Sequence, residues 1–169
     1  MRIENFDARH LGNSKRFQAQ MTNWFKVIIG GVNSDITLLV QNVNLPEESN
    51  PPVELPYGNT KAKVPGQTEY SDNSLSIIDA MQADIEQEFV KWRKTVYDPE
   101  TGKMGWVSEF KRDMTVYQYG PDGTCIRGWR YEGCWPSQIN YGEMTGDSSD
   151  KKLIQVTITY DRAVRLPME

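Results

Sequence analysis

Near the C-terminal end of the chain, Ile154, Val156, Ile158 and Tyr160 are interleaved with Gln155, Thr157 and Thr159. A period of two sends the first set to one face of a strand and the second to the other, so Leu153 to Asp161 is expected to be a half-buried strand. Met114 to Tyr119 and Thr124 to Trp135 read as a hairpin about the turn Gly120-Pro121-Asp122-Gly123. Its second arm is long, and Gly128 and Gly133 within it mark bulges or close backbone approach. Trp24 to Ile29 is a first strand. After the turn signals Gly30-Gly31 and Asn33-Ser34-Asp35, the β-branched and apolar run Ile36 to Val43 reads as its hairpin partner. Leu75 and Ile77, set among serines, predict one more short strand.

Helical spacing appears at Met81, Ile85, Phe89, Trp92 and Val96, which predicts an amphipathic helix over Ala80 to Val96 with Asp79 as its cap. Acidic Asp84, Glu86 and Glu88 precede basic Lys91, Arg93 and Lys94, the order that the helix dipole favours. One such helix among strands must lay its apolar stripe on a sheet face or a barrel opening.

The remaining segments are polar or broken by proline. Residues 1–23 carry isolated Phe6, Leu11, Phe17 and Met21 without a steady period and are expected to form an arm. From Asn44 to Gly58 the chain holds four prolines, with Glu47, Glu48 and Asn50 among them. Proline cannot donate to a sheet ladder, so a long loop is expected there, and loops of that length usually have a task. Asn59 to Val64 alternates Lys61 and Lys63 against Ala62 and Val64 and closes at Pro65-Gly66. Turn chemistry occupies Asp98 to Gly102, and a polar loop runs from Thr145 to Asp150.

A length of 169 residues fits one domain, and 38% apolar residues with 11% aromatics suit a folded, β-rich or α+β protein. The 19 basic residues face 23 acidic ones, for a net charge of −4, so no overall basic surface is offered to grip duplex DNA. No run approaches the roughly 20 apolar residues that cross a bilayer, and Met1 to Gln20 lacks the apolar core of a secretory signal; cytoplasmic synthesis is the expectation. Cys125 and Cys134 form no Cys-x-x-Cys pair, and His10 is the single histidine, which argues against a structural zinc site. Nine steps along one strand separate the two thiols by roughly 30 Å, leaving them free or bonded to another subunit.

Catalytic chemistry has little to stand on. Serine-nucleophile elbows, phosphate-cradling glycine loops, paired metal-binding histidines and dinucleotide fingerprints are missing from the sequence. A cysteine nucleophile would need His10 brought to it, and the adjacent carboxylates Glu47 and Glu48 would be an unusual glycosidase dyad. The aromatic set Trp106, Tyr117, Tyr119, Trp129, Tyr131 and Trp135 could supply core and subunit contacts, or a platform for sugars or bases. The expectation is a protein that is no enzyme and needs no cofactor or metal.

Read in order, several short stretches resemble the tail tube family of contractile phages, related more distantly to the tube of type VI secretion. They are Trp24-Phe25-Lys26-Val27-Ile28, Val43-Asn44-Leu45-Pro46, Lys61-Ala62-Lys63-Val64-Pro65-Gly66, Phe89-Val90-Lys91-Trp92, Trp135-Pro136-Ser137-Gln138-Ile139 and Ile158-Thr159-Tyr160-Asp161. The resemblance implies an α+β, mainly β fold: an antiparallel barrel or sandwich with one flanking helix, in a single domain over 1–169. Six copies would close into a ring whose inner strands form a continuous barrel around a DNA-wide channel, and the rings would stack into a tube. Ile36 to Val43, Asn59 to Val64, Met114 to Tyr119 and Thr124 to Trp135 would be the inner strands.

By the same resemblance, the loop 44–58 would make the inter-ring contact through Pro46, Glu47, Glu48, Asn50, Pro51, Pro52 and Glu54. Thr37, Gln41, Lys61 and Lys63 would face the lumen. Family lumens are mostly acidic or neutral, so either the two lysines pair with acids of a neighbouring strand or the facing is one residue off. Implied partners are sister copies, a tail sheath protein, baseplate and tail terminator proteins, and double-stranded DNA passing non-specifically, with a membrane met only during host penetration. The virion tail, assembled in the host cytoplasm, is the implied location. The tube of a secretion or toxin-injection machine and a monomeric glycan-binding β-sandwich are the alternatives.

Overall fold

The computed structural model describes residues 19–33, 36–81, 84–147 and 149–167. Most of the expected arm, with His10, lies outside the described residues. Thirteen strands and three helices follow one another as β1 (Phe25–Ile29), α1 (Ile36–Leu39), β2 (Val40–Val43), β3 (Glu48–Ser49), β4 (Pro52–Tyr57), β5 (Thr60–Pro65), β6 (Glu69–Tyr70), β7 (Asn73–Ile78), α2 (Ile85–Val96), β8 (Tyr97–Asp98), β9 (Lys103–Met104), α3 (Val107–Phe110), β10 (Arg112–Tyr119), β11 (Cys125–Asn140), β12 (Leu153–Thr159) and β13 (Arg162–Leu166) among the described residues. The fold is mainly β with antiparallel sheets, and α2 is its one long helix.

A main sheet of order β1-β10-β11-β12-β7-β2 carries β13 as a branch on β11. The branch exists because β11 is 16 residues long and changes partners along its length. Its first part lies between β10 and β13, while Trp135 to Asn140 pairs with β12. The change occurs at Gly133, where Arg112 is opposite Cys134 and Met114 is opposite Tyr131, leaving one more residue on β11 than on β10. Gly133 has φ +70°, a left-handed conformation that glycine adopts without a Cβ penalty. Gly128 is the close-approach position: a Cβ there would stand 3.1 Å from Leu166 and 3.2 Å from Tyr117.

The 120–123 hairpin forms as expected, closed by Gly123 N–H to Gly120 O at 3.0 Å and Gly120 N–H to Thr124 O at 2.9 Å. The C-terminal alternation also holds, with Ile154, Val156, Ile158 and Tyr160 all buried. They meet Leu75 and Ile77 of β7, Val27 and Ile29 of β1, Met114 and Val116 of β10, and the α2 stripe Ile85, Phe89 and Trp92 in one core.

Three expectations are corrected. The run 36–43 is not the hairpin partner of β1, which pairs with β10 instead. Ile36, Leu39 and Val40 have helical spacing, so the run starts as the single turn α1, with Ile36 buried and Leu39 and Val40 packed on the core; only Val40–Val43 is strand, and it joins β7. The helix begins at Ile85, not Ala80. Asp79 does not cap it: its backbone N–H continues the β7–β12 ladder to Lys152 O at 3.0 Å and its carboxylate meets Lys152 Nζ at 2.9 Å, while Asp84 stands at the helix start with φ 42°. Finally, residues 44–58 are not a featureless loop, since they contain β3 and the first arm of a second hairpin.

Candidate functional site

That second hairpin is a ribbon of β4 and β5 paired over six positions, from Pro52 opposite Pro65 to Tyr57 opposite Thr60, and turned at Gly58 with φ +61°. Proline in the first arm is what makes 44–58 read as a loop. Gly66 N–H donates to Pro51 O at 2.8 Å, which fixes the alternation of the ladder. Bonded pairs then fall at 53–64, 55–62 and 57–60, and Pro52, Pro56 and Pro65 all occupy positions whose N–H would point away from the partner strand. These three prolines therefore cost no ladder bonds.

Every residue of β4 and β5 is exposed. Period two divides the ribbon into an apolar face, with Val53, Leu55, Tyr57, Ala62 and Val64, and a second face with Pro52, Glu54, Pro56, Lys61, Lys63 and Pro65. On the apolar face Val53 and Leu55 are each 48% exposed and Tyr57 is 80% exposed. These three were missed in the sequence reading, although they alternate between the prolines and so carried the signal. On the other face Lys61 Nζ meets Glu54 Oε2 at 2.8 Å, and Lys63 lies directly opposite Glu54.

At the base of the ribbon, Glu48 pairs with Tyr70 in the short β3–β6 ladder, and Ser71 N–H donates to Glu47 O at 3.1 Å. Pro46 is half-buried, and Glu47, Glu48 and Asn50 are exposed. Of the residues expected at a lumen, Thr37 lies on α1, Gln41 is exposed on β2, and Lys61 and Lys63 belong to the ribbon. The structure does not bring the four together on one strand face.

The main sheet has a second relevant feature. Its part β1-β10-β11-β13 is antiparallel at every step and ends in two strands with no further sheet neighbour among the described residues, β1 and β13. One row across it reads Ile28, Thr115, Arg130, Val164. Ile28 and Val164, at its two ends, are 43% and 42% exposed. Beside that row Glu132 accepts from both Arg130 and Arg162, and those bonds hold its carboxyl below the usual carboxylate range.

The aromatic set divides. Tyr131 is core, Trp135 packs edge-on against Phe110 at 6.1 Å, Tyr117, Tyr119 and Trp129 are half-buried, and Trp106 is exposed. Among the described residues no group of three or more His, Cys, Asp or Glu could hold a metal ion, and no helix is long and apolar enough to cross a membrane. Both cysteines are unbonded; Cys125 is exposed, and burial pushes the Cys134 thiol up to about 12.

Comparison with known proteins agrees with this architecture. The chain is 24% identical over 144 residues to the tail tube protein gp19 of Enterobacteria phage T4, covering 82% of this chain and 87% of that protein. Its fold is similar to a chain of the sheath-tube complex of the extracellular contractile injection system PVC in its extended state, with a TM-score of 0.71, 16% identity, and 96% and 99% of the two chains covered. The anti-feeding prophage tube terminating cap gives 0.72 at 16% identity, covering 88% and 91%. Hcp1 from Flavobacterium johnsoniae gives 0.51 at 10%, covering 84% and 94%. The family model for the T4-like virus tail tube protein gp19 matches residues 21–164, and with that span, the antiparallel sheet and the single long helix in agreement, the chain belongs to the T4-like tail tube protein family, a family of structural proteins of the virion tail.

Proposed function

We propose that this chain is the repeating subunit of the inner tube of a contractile phage tail, closing in sixes into rings that stack into the conduit through which DNA is ejected. The observation that carries the reading is the β4–β5 ribbon, whose apolar face meets water in the isolated protomer. A projecting strand pair with Val53, Leu55 and Tyr57 on one face has the chemistry of a docking element, and burying three such side chains on the next ring would contribute several kcal/mol, at roughly 1.5–3 kcal/mol for each fully buried one. The inter-ring contact is therefore centred on these residues, with Pro46, Glu47, Glu48, Asn50, Pro51, Pro52 and Glu54 along the base and opposite face.

The tube wall is proposed to be the four-stranded part β1-β10-β11-β13. Its strands alternate in direction, so β13 of one copy beside β1 of the next would continue an antiparallel sheet and bring Val164 near the neighbour's Ile28. Closure would remove both free edges. Two strands expected at the wall, 114–119 and 124–135, are kept in this reading, while 36–43 and 59–64 give way to β1 and β13. Lys61 and Lys63 then belong to the step between rings, each facing Glu54, and Thr37 and Gln41 to the flank of the ring.

A sheath around this tube, a terminator at one end and a baseplate at the other are the proposed partners. The similar folds in a sheath-tube complex, a terminating cap and a baseplate support them. The family match favours a phage tail over a secretion or injection tube, and the two free edges favour an assembling subunit over a monomeric glycan-binding module.

The test is to replace Pro52 to Pro65 by a two-residue Asn-Gly turn, closed by the bond from Gly66 N–H to Pro51 O that is already present. The shortened protein is expected to keep the cooperative thermal unfolding of the parent and to form single rings or free protomers where the parent forms tubes by electron microscopy. Normal tubes from the shortened protein would overturn the reading.

A further inference from the structure

Asn44 and Asn73 stand at the two ends of the excursion that carries the ribbon, 29 positions apart in sequence. The carbonyl oxygen of Asn44 accepts two side-chain bonds, from Asn73 Nδ2 at 2.6 Å and from the Tyr131 hydroxyl at 2.9 Å. Both donors are buried, Asn73 at 1% and Tyr131 at 0% exposure. Asn44 N–H in turn donates to Ser74 O at 3.3 Å. The ring of Tyr131 meets Tyr160 edge-on at 4.9 Å, and Tyr160 packs at 5.7 Å against Tyr70, which belongs to the short ladder below the ribbon.

Such a concentration of polar groups in a core is costly unless the groups are paired. Here the pairing gathers the outgoing chain, the returning chain and the middle of β11 on one oxygen. We infer that Tyr131 and Asn73 are positioning residues for stacking: they clasp the neck of the ribbon and set the angle at which it leaves the sheet. The inference rests on the reading of the ribbon as the inter-ring element. Leverage explains why a neck needs such a device. Six strand residues span roughly 20 Å, so a tilt of about 10° at the neck displaces the tip by roughly 3.5 Å, enough to lose a packed contact.

Tyr131→Phe removes the hydroxyl and keeps the ring; Asn73→Ser replaces the amide donor by a shorter hydroxyl. Hydrogen exchange by mass spectrometry on the protomer, together with the critical concentration for tube growth, tests the clasp. In each variant, amides of β3, β6 and the ribbon are expected to exchange about tenfold faster, with β10 and β12 unchanged, and the critical concentration to rise several-fold. Unchanged exchange in the neck, equal acceleration across all strands, a parental critical concentration, or failure of both variants to fold would each overturn the inference. The shortened-ribbon protein separates the two levels. If it still makes tubes, the stacking reading fails; if it does not while Tyr131→Phe grows tubes as the parent does, the clasp alone fails.

Discussion

Gly133 lies directly beneath the carboxylate of Asp161: a Cβ built on it would stand 2.2 Å from Asp161 Oδ2. Lys111 also holds the same carboxylate, with Nζ at 2.7 and 2.6 Å from its two oxygens, and Asp161 N–H donates to Glu132 O at 2.9 Å. The point where β11 changes partners is thus pinned by three contacts. Gly133→Ala would meet both the left-handed φ and the clash, and is expected to lower stability by about 1–3 kcal/mol in chemical denaturation. Adding Asp161→Ala should recover part of the loss by removing the clash, whereas equal stability of Gly133→Ala and the parent would contradict the geometry.

The apolar stripe of α2 separates two residues that the sequence groups together. Phe89 is fully buried against Trp92, with ring centroids 6.2 Å apart, while Met81 is fully exposed ahead of the helix. Phe89→Ala is expected to cost about 3–5 kcal/mol and Met81→Ala less than about 0.5 kcal/mol, read from denaturation midpoints. A large effect at Met81 would mean that the helix extends back over it.

Alkaline pH should destabilise the fold. Burial raises the titration of Tyr131, Tyr160 and Cys134 above their ordinary values, so the folded state retains protons that the unfolded chain releases. Their contribution is complete at neutral pH, begins to fall above about pH 9, where unfolded cysteine and then tyrosine ionise, and is lost as pH rises toward the folded values. The melting temperature measured from pH 7 to 11 is expected to hold and then drop. Tyr131→Phe should flatten that drop, and an unchanged slope would show that another group governs it.

Much of this architecture was legible in the residues. Strict alternation in β12 and the glycine-proline turn before β11 report local geometry, and no long-range competitor overrides them. The failures have physical causes. Ile36 to Val43 is rich in strand formers, yet Ile36, Leu39 and Val40 also satisfy helical spacing, and the core accepts that face. The ribbon was hidden because proline argues against a strand unless its bond parity is known, and parity depends on a partner that lies later in the chain. The pairing of β1 with β10 was hidden for the same reason: Phe25 lies opposite Gln118, far along the chain, and such a contact leaves no local mark.

The two thiols should be distinguishable. Cys125 is exposed near the start of β11, and Cys134 is buried in the same strand. Ellman's reagent is expected to titrate one thiol in the native protein and the second only after unfolding, since the reactive thiolate is scarce at a buried site whose titration lies at about 12. Fast reaction of both in the native state would contradict the packing around Cys134.

Central to all of this is the claim that the ribbon and the edges β1 and β13 are finished by sister copies, and a cryo-electron microscopy map of the assembled protein tests it most directly. The map is expected to show Val53, Leu55 and Tyr57 buried against the adjacent ring and β13 hydrogen-bonded to β1 of the neighbouring subunit. A tube in which the ribbon stands free in solvent and those edges stay unpaired would contradict the account.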